Sequence, residues 1–284
     1  MHTTLINAEE LQTLVSSGQP PRIFDCSSDL FDPAAGRALY ETQHIPGARH
    51  ADLNLDLSAH DKGPGEGRHP LPSREQFAAW LGQAGLRPEQ QVVVYDHQGA
   101  NHCGRLWWML KWVGHEAVAV LDGGFSAWVA TGGAIETGPG YGVVAATDYP
   151  VSPPLVNTID TATLAKRIGH PALTIVDARA SARFRGDVEP IDPVAGHIPG
   201  ALNRPFSDNL QPDGRFKPAD VLRAEFKSLL AGRDATEVIH QCGSGVSAIP
   251  NLLAMELAGF GRTTLYPGSW SAWCNTPGTP RARG

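Results

Sequence analysis

The 284-residue chain has no excess of basic charge: 23 Lys and Arg stand against 29 Asp and Glu, a net charge of −6. A nucleic-acid partner, which calls for a basic face, is therefore not expected. Long apolar runs are missing too. None approaches the roughly 18 residues of a membrane span, so no membrane partner is expected either. The opening stretch MHTTLINAEELQTL lacks the basic, apolar and small-residue order of a secretory signal, and the expected location is cytoplasmic. Cysteine is scarce. Cys26, Cys103, Cys242 and Cys274 are far apart and form neither a C-x-x-C pair nor a zinc pattern. Free thiols, with no metal and no organic cofactor, are the expectation. Hydrophobic residues nevertheless make up 42% of the chain, enough for a sizeable core.

What is present is repetition. H-I-P-G-A starts at 44 and again at 197, 153 residues on. RIFDCSS around Asp25 is echoed by TIVDARA around Asp177, 152 residues on. LDGGFSAW ends at Trp128 and YPGSWSAW at Trp273, 145 residues on. The three landmarks keep one order, which indicates two copies of one domain of ordinary size. The Gly- and Pro-rich stretch 136–157 separates them as a linker, leaving a first domain over 1–135 and a second over 158–284.

Each half alternates short β-branched runs with helical segments. VVVY (92–95) and AVAVL (117–121) flank a helix near 104–113. TIVD (174–177), EVIHQ (237–241) and TTLY (263–266) surround a helical stretch within 246–261. This alternation predicts an α/β fold in each half, a parallel sheet flanked by helices. His44 and His197, each ahead of a Pro-Gly turn, read as turn or packing residues. Trp107, Trp108 and Trp112 have helical spacing and read as core or interface residues.

Ligands of such sheets gather at the carboxyl ends of strands, and the run VIHQ ends on Cys242. Gly243, Ser244 and Gly245 follow, then a helix. Glycines let the chain curl around one point. Successive backbone N–H groups and a helix N-terminus can then hold an anion there. A thiolate so placed is activated as a nucleophile. The other copy serves as a control: the offset of 145 places His97 opposite Cys242, so the first half is a domain without the catalytic cysteine.

With both H-I-P-G-A motifs, VDARASARFRG, the two S-A-W segments and the loop in view, nearly the whole chain resembles the two-domain rhodanese-type sulfurtransferases. The loop C-G-S-G-V-S-A is similar to that of the 3-mercaptopyruvate branch. The thiosulfate branch typically carries C-R-K-G-V-[ST]-A. The resemblance implies tandem rhodanese-like domains and a ping-pong transfer through a Cys242 persulfide. The small-molecule donor would be 3-mercaptopyruvate and the acceptor a thiol, cyanide or thioredoxin. It implies that backbone N–H groups of Gly243, Ser244, Gly245, Val246 and Ser247 hold the persulfide. Arg183 would take the donor's carboxylate, with Arg179 as a second candidate. Ser244 and His69 would move the proton. A monomer or weak dimer is expected.

Two positions depart from the family's pattern. Ile191 in VEPIDP stands where a second substrate arginine is often found, and Asn54 stands where the relay's aspartate would be, between Asp52 and Asp56. Three other activities make different demands on these residues. A thiosulfate:cyanide sulfurtransferase would want cations in the loop, which has none. A phosphatase would need C-x5-R, and Ala248 occupies the arginine's place. A non-catalytic persulfide carrier fits the first half better than the whole.

Overall fold

The computed structural model describes residues 1–140, 142 and 145–284, so three positions of the expected linker lie outside the described residues. The first half supplies β1 (Leu5–Ile6), α1 (Ala8–Val15), β2 (Arg22–Asp25), α2 (Ala35–Thr42), β3 (Arg49–His50), α3 (Arg74–Gln83), β4 (Val92–Tyr95), α4 (Cys103–Trp112), β5 (Val118–Leu121) and α5 (Gly124–Ala130). The second supplies β6 (Asn157–Thr158), α6 (Thr161–Arg167), β7 (Thr174–Asp177), α7 (Ser181–Arg185), β8 (Leu202–Asn203), α8 (Ala219–Leu230), β9 (Val238–Gln241), α9 (Ile249–Leu257), β10 (Thr264–Leu265) and α10 (Ser269–Asn275).

Two five-stranded sheets result, in the orders β1-β5-β4-β2-β3 and β6-β10-β9-β7-β8. Every pairing is parallel. The orders correspond strand for strand, which is the duplication expressed in three dimensions. The central strands β4 and β9 are buried along their whole length, β4 as an apolar run and β9 with His240 and Gln241 buried at its end. Capping boxes open α1 (Asn7 with Glu10) and α3 (Ser73 with Gln76). Helix α9 has no side-chain cap. Pro250 sits in its first turn, where a missing N–H costs nothing.

The repeated landmarks are structural fastenings. Trp128 and Trp273 are core residues whose indole N–H groups donate to the carbonyls of Ala134 and Pro280, both at 2.8 Å. His44 stacks on Tyr40 and places Nδ1 2.7 Å from that residue's carbonyl. His197 does the same with Phe184, at 2.8 Å, and so pins the end of α7. Both histidines pack, as expected. Trp107 and Trp108 are buried in α4, and the Trp107 indole donates to the Thr3 carbonyl.

Contacts divide the chain into two compact units, but not by a single cut. The first holds residues 1–59, 72–155 and 212–216; the second holds 60–71, 156–211 and 217–284. Most of the stretch read as a linker is tied to the first unit: Glu136 exchanges backbone hydrogen bonds with His44, and Ser152 N–H donates to Val113. Residues 60–71, from the first half of the sequence, belong with the second unit. Among the described residues no helix is long and apolar enough to cross a membrane.

Candidate active site

Strand β9 ends at Gln241 and delivers Cys242 at the carboxyl edge of the second sheet, 1% exposed. Its carbonyl accepts from Trp270 N–H at 3.0 Å, and Gly243 O accepts from Ser271 N–H at 2.9 Å. Its own N–H donates to Ser269 Oγ at 3.1 Å, and that hydroxyl donates to Tyr266 O at 2.9 Å. Ser269 holds this place with a φ of 53°, a left-handed conformation that a non-glycine residue adopts only at a cost. The start of α10 thus clamps the cysteine's backbone from below.

The loop curls as the glycines suggested. Gly245 has φ 75°, and a β-carbon there would come within 2.3 Å of Pro267 O, so no other residue fits. The backbone N–H groups of Gly243, Ser244, Val246, Ser247 and Ala248 donate to no protein acceptor among the described residues. They precede α9, whose first-turn N–H groups add partial positive charge. That is an anion cradle with a sulfur at its mouth.

Ser244 and His69 meet: His69 Nδ1 lies 2.7 Å from Ser244 Oγ, and both residues are buried. The segment carrying His69 is held against α10. Arg68 N–H donates to Ser271 Oγ at 3.1 Å, and Gly67 approaches Gly268 so closely that a β-carbon would lie 2.7 Å from its carbonyl oxygen. Asn54 belongs to the first unit, where its N–H donates to Asp52 Oδ1 and Asp56 accepts from the Trp80 indole. His240, two residues before Cys242, is no proton carrier. Burial and the Arg204 charge push its pKa down to about 3, so it stays neutral.

The arginines divide sharply. Arg183 is 18% exposed in its side chain and points Nη1 and Nη2 at the loop. A β-carbon on Gly243 would lie 3.5 and 3.7 Å from them. It is held from behind by Glu189 at 2.7 Å and Asp192 at 3.3 Å. Burial works against the Glu189 charge, but hydrogen bonds from Arg183 and from backbone N–H groups outweigh it and lower its pKa. Arg179 is fully engaged elsewhere. Its guanidinium binds Asp177 at 2.7 Å and the Gly196 carbonyl at 2.8 Å, and lies over the Trp270 ring. Burial opposes its charge, yet Asp177 and Glu189 raise its pKa. With that geometry it braces the sheet end, and the donor contact expected of it has no free fork to use. Arg185 pairs with Asp187 at the surface. Ile191 contributes only its backbone N–H, to Glu189.

Sequence reasoning overlooked Arg68. Its Nη2 would lie 2.9 Å from a Gly243 β-carbon, and its Nη1 is ion-paired with Asp192. Adjacency to His69 was the signal available. Ser269 was overlooked as well, since nothing in a sequence marks a strained φ.

The corresponding loop of the first unit corrects the alignment by one residue. Tyr95 pairs with Asp25 as Gln241 pairs with Asp177, and Phe125 N–H donates to Asp96 O as Trp270 N–H donates to Cys242 O. Asp96, not His97, stands where Cys242 stands; the His97 ring lies tilted against Phe125, centroids 4.9 Å apart. The offset is 146 at the central strands, where Val94 answers His240. It becomes 145 at the next strand, where Val120 pairs with Val94 and Leu265 with His240. The helices differ by one residue, ten in α4 and nine in α9, so their starts are offset by 146 and their ends by 145, and this caused the slip. Cys103 opens α4 and is buried, and burial raises its pKa well above the ordinary thiol value.

A doubled parallel α/β unit with one cysteine-centred anion loop defines a class of group-transfer fold. The chain belongs to the rhodanese-like domain family, whose model matches residues 7–131 and 160–276. It is 46% identical over 287 residues to the "Probable 3-mercaptopyruvate sulfurtransferase" of Pseudomonas aeruginosa, covering 99% of this chain and 98% of the relative. It is 39% identical over 290 residues to a Mycobacterium tuberculosis protein assigned as thiosulfate sulfurtransferase SseB, covering 99% and 97%. Among solved structures, SseA of Escherichia coli, described as a 3-mercaptopyruvate sulfotransferase of rhodanese fold, matches with a TM-score of 0.80 and 28% identity. That match covers 95% of this chain and 99% of SseA.

Proposed function

We propose that the protein is a sulfurtransferase that carries sulfur as a persulfide on Cys242 and takes it from 3-mercaptopyruvate. The observation that carries this reading is the loop itself: a cysteine in front of backbone N–H groups that have no protein acceptor among the described residues, with no charged side chain inside the loop and the guanidinium groups of Arg183 and Arg68 at its edge. The Cys242 thiolate attacks the donor's sulfur. A sulfur–sulfur bond forms, the carbon–sulfur bond breaks, and its electron pair leaves as pyruvate enolate. The proton lost by the donor's thiol equals the one the enolate carbon gains, and Ser244 with His69 is the short path for it. The cradle of residues 243–247 stabilises the persulfide anion. A thiolate acceptor, cyanide or a reduced thioredoxin then attacks the outer sulfur and frees Cys242.

The relative assigned to thiosulfate keeps a second donor in play. Thiosulfate is a dianion, and here Arg183 already shares its charge with Glu189 and Asp192. The reading therefore expects a much larger kcat/KM for mercaptopyruvate than for thiosulfate in parallel assays. It also expects Cys242→Ser to abolish pyruvate release, and a gain of about 32 Da, one sulfur, on the Cys242 peptide after donor treatment. Pyruvate release surviving in Cys242→Ser would end it. A cytoplasmic location and a monomer or weak dimer complete the reading. Cell fractionation and sedimentation test them.

A further inference from the structure

We propose that Arg68 is the second arginine that grips the donor's carboxylate, doing from the segment 60–71 what the uncharged Ile191 cannot do. This rests on the 3-mercaptopyruvate reading. Arg68 and Arg183 reach the same point from two directions: each has a guanidinium nitrogen within 2.9 to 3.7 Å of where a Gly243 β-carbon would stand, one residue from the nucleophile. Gly243 carries no side chain, and the space beside it is the space the two forks face.

Asp192 shows that one carboxylate can span the pair. Its Oδ1 takes Arg68 Nη1 and its Oδ2 takes Arg183 Nη2. A guanidinium has five N–H groups, and this counter-ion uses one from Arg68. Among the described residues the Arg68 Nε–H is buried without an acceptor, and Nη2 is turned to Gly243. A buried unpaired donor is costly, and a ligand that satisfies it recovers that cost on binding. Asp192 is itself set by the loop that carries Ile191, because its N–H and that of Ile191 both donate to Glu189 Oε1 at 3.1 Å. The acid that aligns both arginines thus lies next to the position with no cation. A 2-oxo acid, with a carboxylate and a neighbouring carbonyl oxygen, offers acceptors to both forks at once.

The test is Arg68→Met, with Arg68→Lys as a milder variant that keeps the charge near Asp192 and loses the fork. Two readouts are compared: KM and kcat for mercaptopyruvate by pyruvate release, and the rate at which inorganic polysulfide, which has no carboxylate, loads sulfur onto Cys242 by mass spectrometry. The expected result for Arg68→Met is a KM raised at least tenfold, a smaller change in kcat and unchanged polysulfide loading, with Arg68→Lys in between. An unchanged KM would overturn the inference. So would equal slowing with both donors, since that is the signature of a strut holding His69 and the loop. A wild-type protein that loads from polysulfide but releases no pyruvate would instead sink the donor assignment, and this inference with it.

Discussion

The two loops at the carboxyl ends of β4 and β9 are the same device put to opposite uses. Both follow the central strand, both span seven residues before a helix, and both have a glycine of positive φ at the fourth position, Gly99 and Gly245. In the first unit the anion is built in. The Asp96 carboxylate accepts from the N–H groups of Gln98, Ala100, His102 and Cys103, at 2.8 to 3.1 Å. In the second unit that place belongs to Cys242, and the N–H groups of Ser244, Val246 and Ala248, which answer to three of those donors, have no protein acceptor among the described residues. The fold requires an anion-binding turn at this sheet edge in both copies. It requires chemistry in neither. A carboxylate fills the cradle permanently, and a sulfur leaves it open to whatever negative charge the sulfur acquires.

The widest gap between the loops closes with Cys242→Asp. The variant should lose pyruvate release by four orders of magnitude or more, because no nucleophile remains, on the order expected for removing a covalent catalyst. Its thermal midpoint should hold or rise, because the new carboxylate meets the donors that Asp96 meets. A large fall in midpoint would show that the two cradles differ in shape more than their shared glycine suggests. Asp96→Ala probes the other side. Four backbone N–H groups lose their acceptor, and the start of α4 loses a negative partner. Denaturant unfolding should report a loss of about 3 kcal/mol, while sulfur loading of Cys242 is retained.

The smallest effect expected is at Ser269, whose counterpart in the first unit is Gly124, with φ 58° against 53°. Ser269→Gly relieves backbone strain of about 1 kcal/mol and forfeits a hydrogen bond of similar worth. Stability should therefore move by less than about 1 kcal/mol, while kcat falls several-fold because the Cys242 N–H loses its anchor. A stability change with intact turnover would mean that the serine serves the fold and not the thiol.

Much of this was legible before any coordinates. The runs TIVD and VVVY are strands from end to end, short β-branched runs buried along their whole length as parallel strands covered on both faces are. Helix α9 starts at Ile249, after the loop, which uses Val246 to Ala248 as turn. Ser244 and His69, 175 residues apart in the chain, meet as the family resemblance implied. Other features were not legible. Arg183 and Arg179 look alike in VDARASARFRG, yet burial beside Asp177 immobilises one and partial exposure leaves the other facing the loop. Arg68 is one more surface arginine until its segment is seen folded onto α10. Matching landmarks by spacing alone slipped one residue, because one extra residue in α4 shifts letters without shifting the strand register.

The sequence by itself determined the duplication, the two parallel sheets and the single cysteine at a strand end. Those depend on local periodicity and on short motifs whose physics is carried by neighbours in the chain. Only the tertiary structure decided what stands opposite Cys242 in the other copy, which arginines face the loop, and that residues 60–71 serve the second unit. Those depend on hydrogen-bond register, on burial and on contacts between segments far apart in the chain, where the spacing of residues along it carries no information about distance.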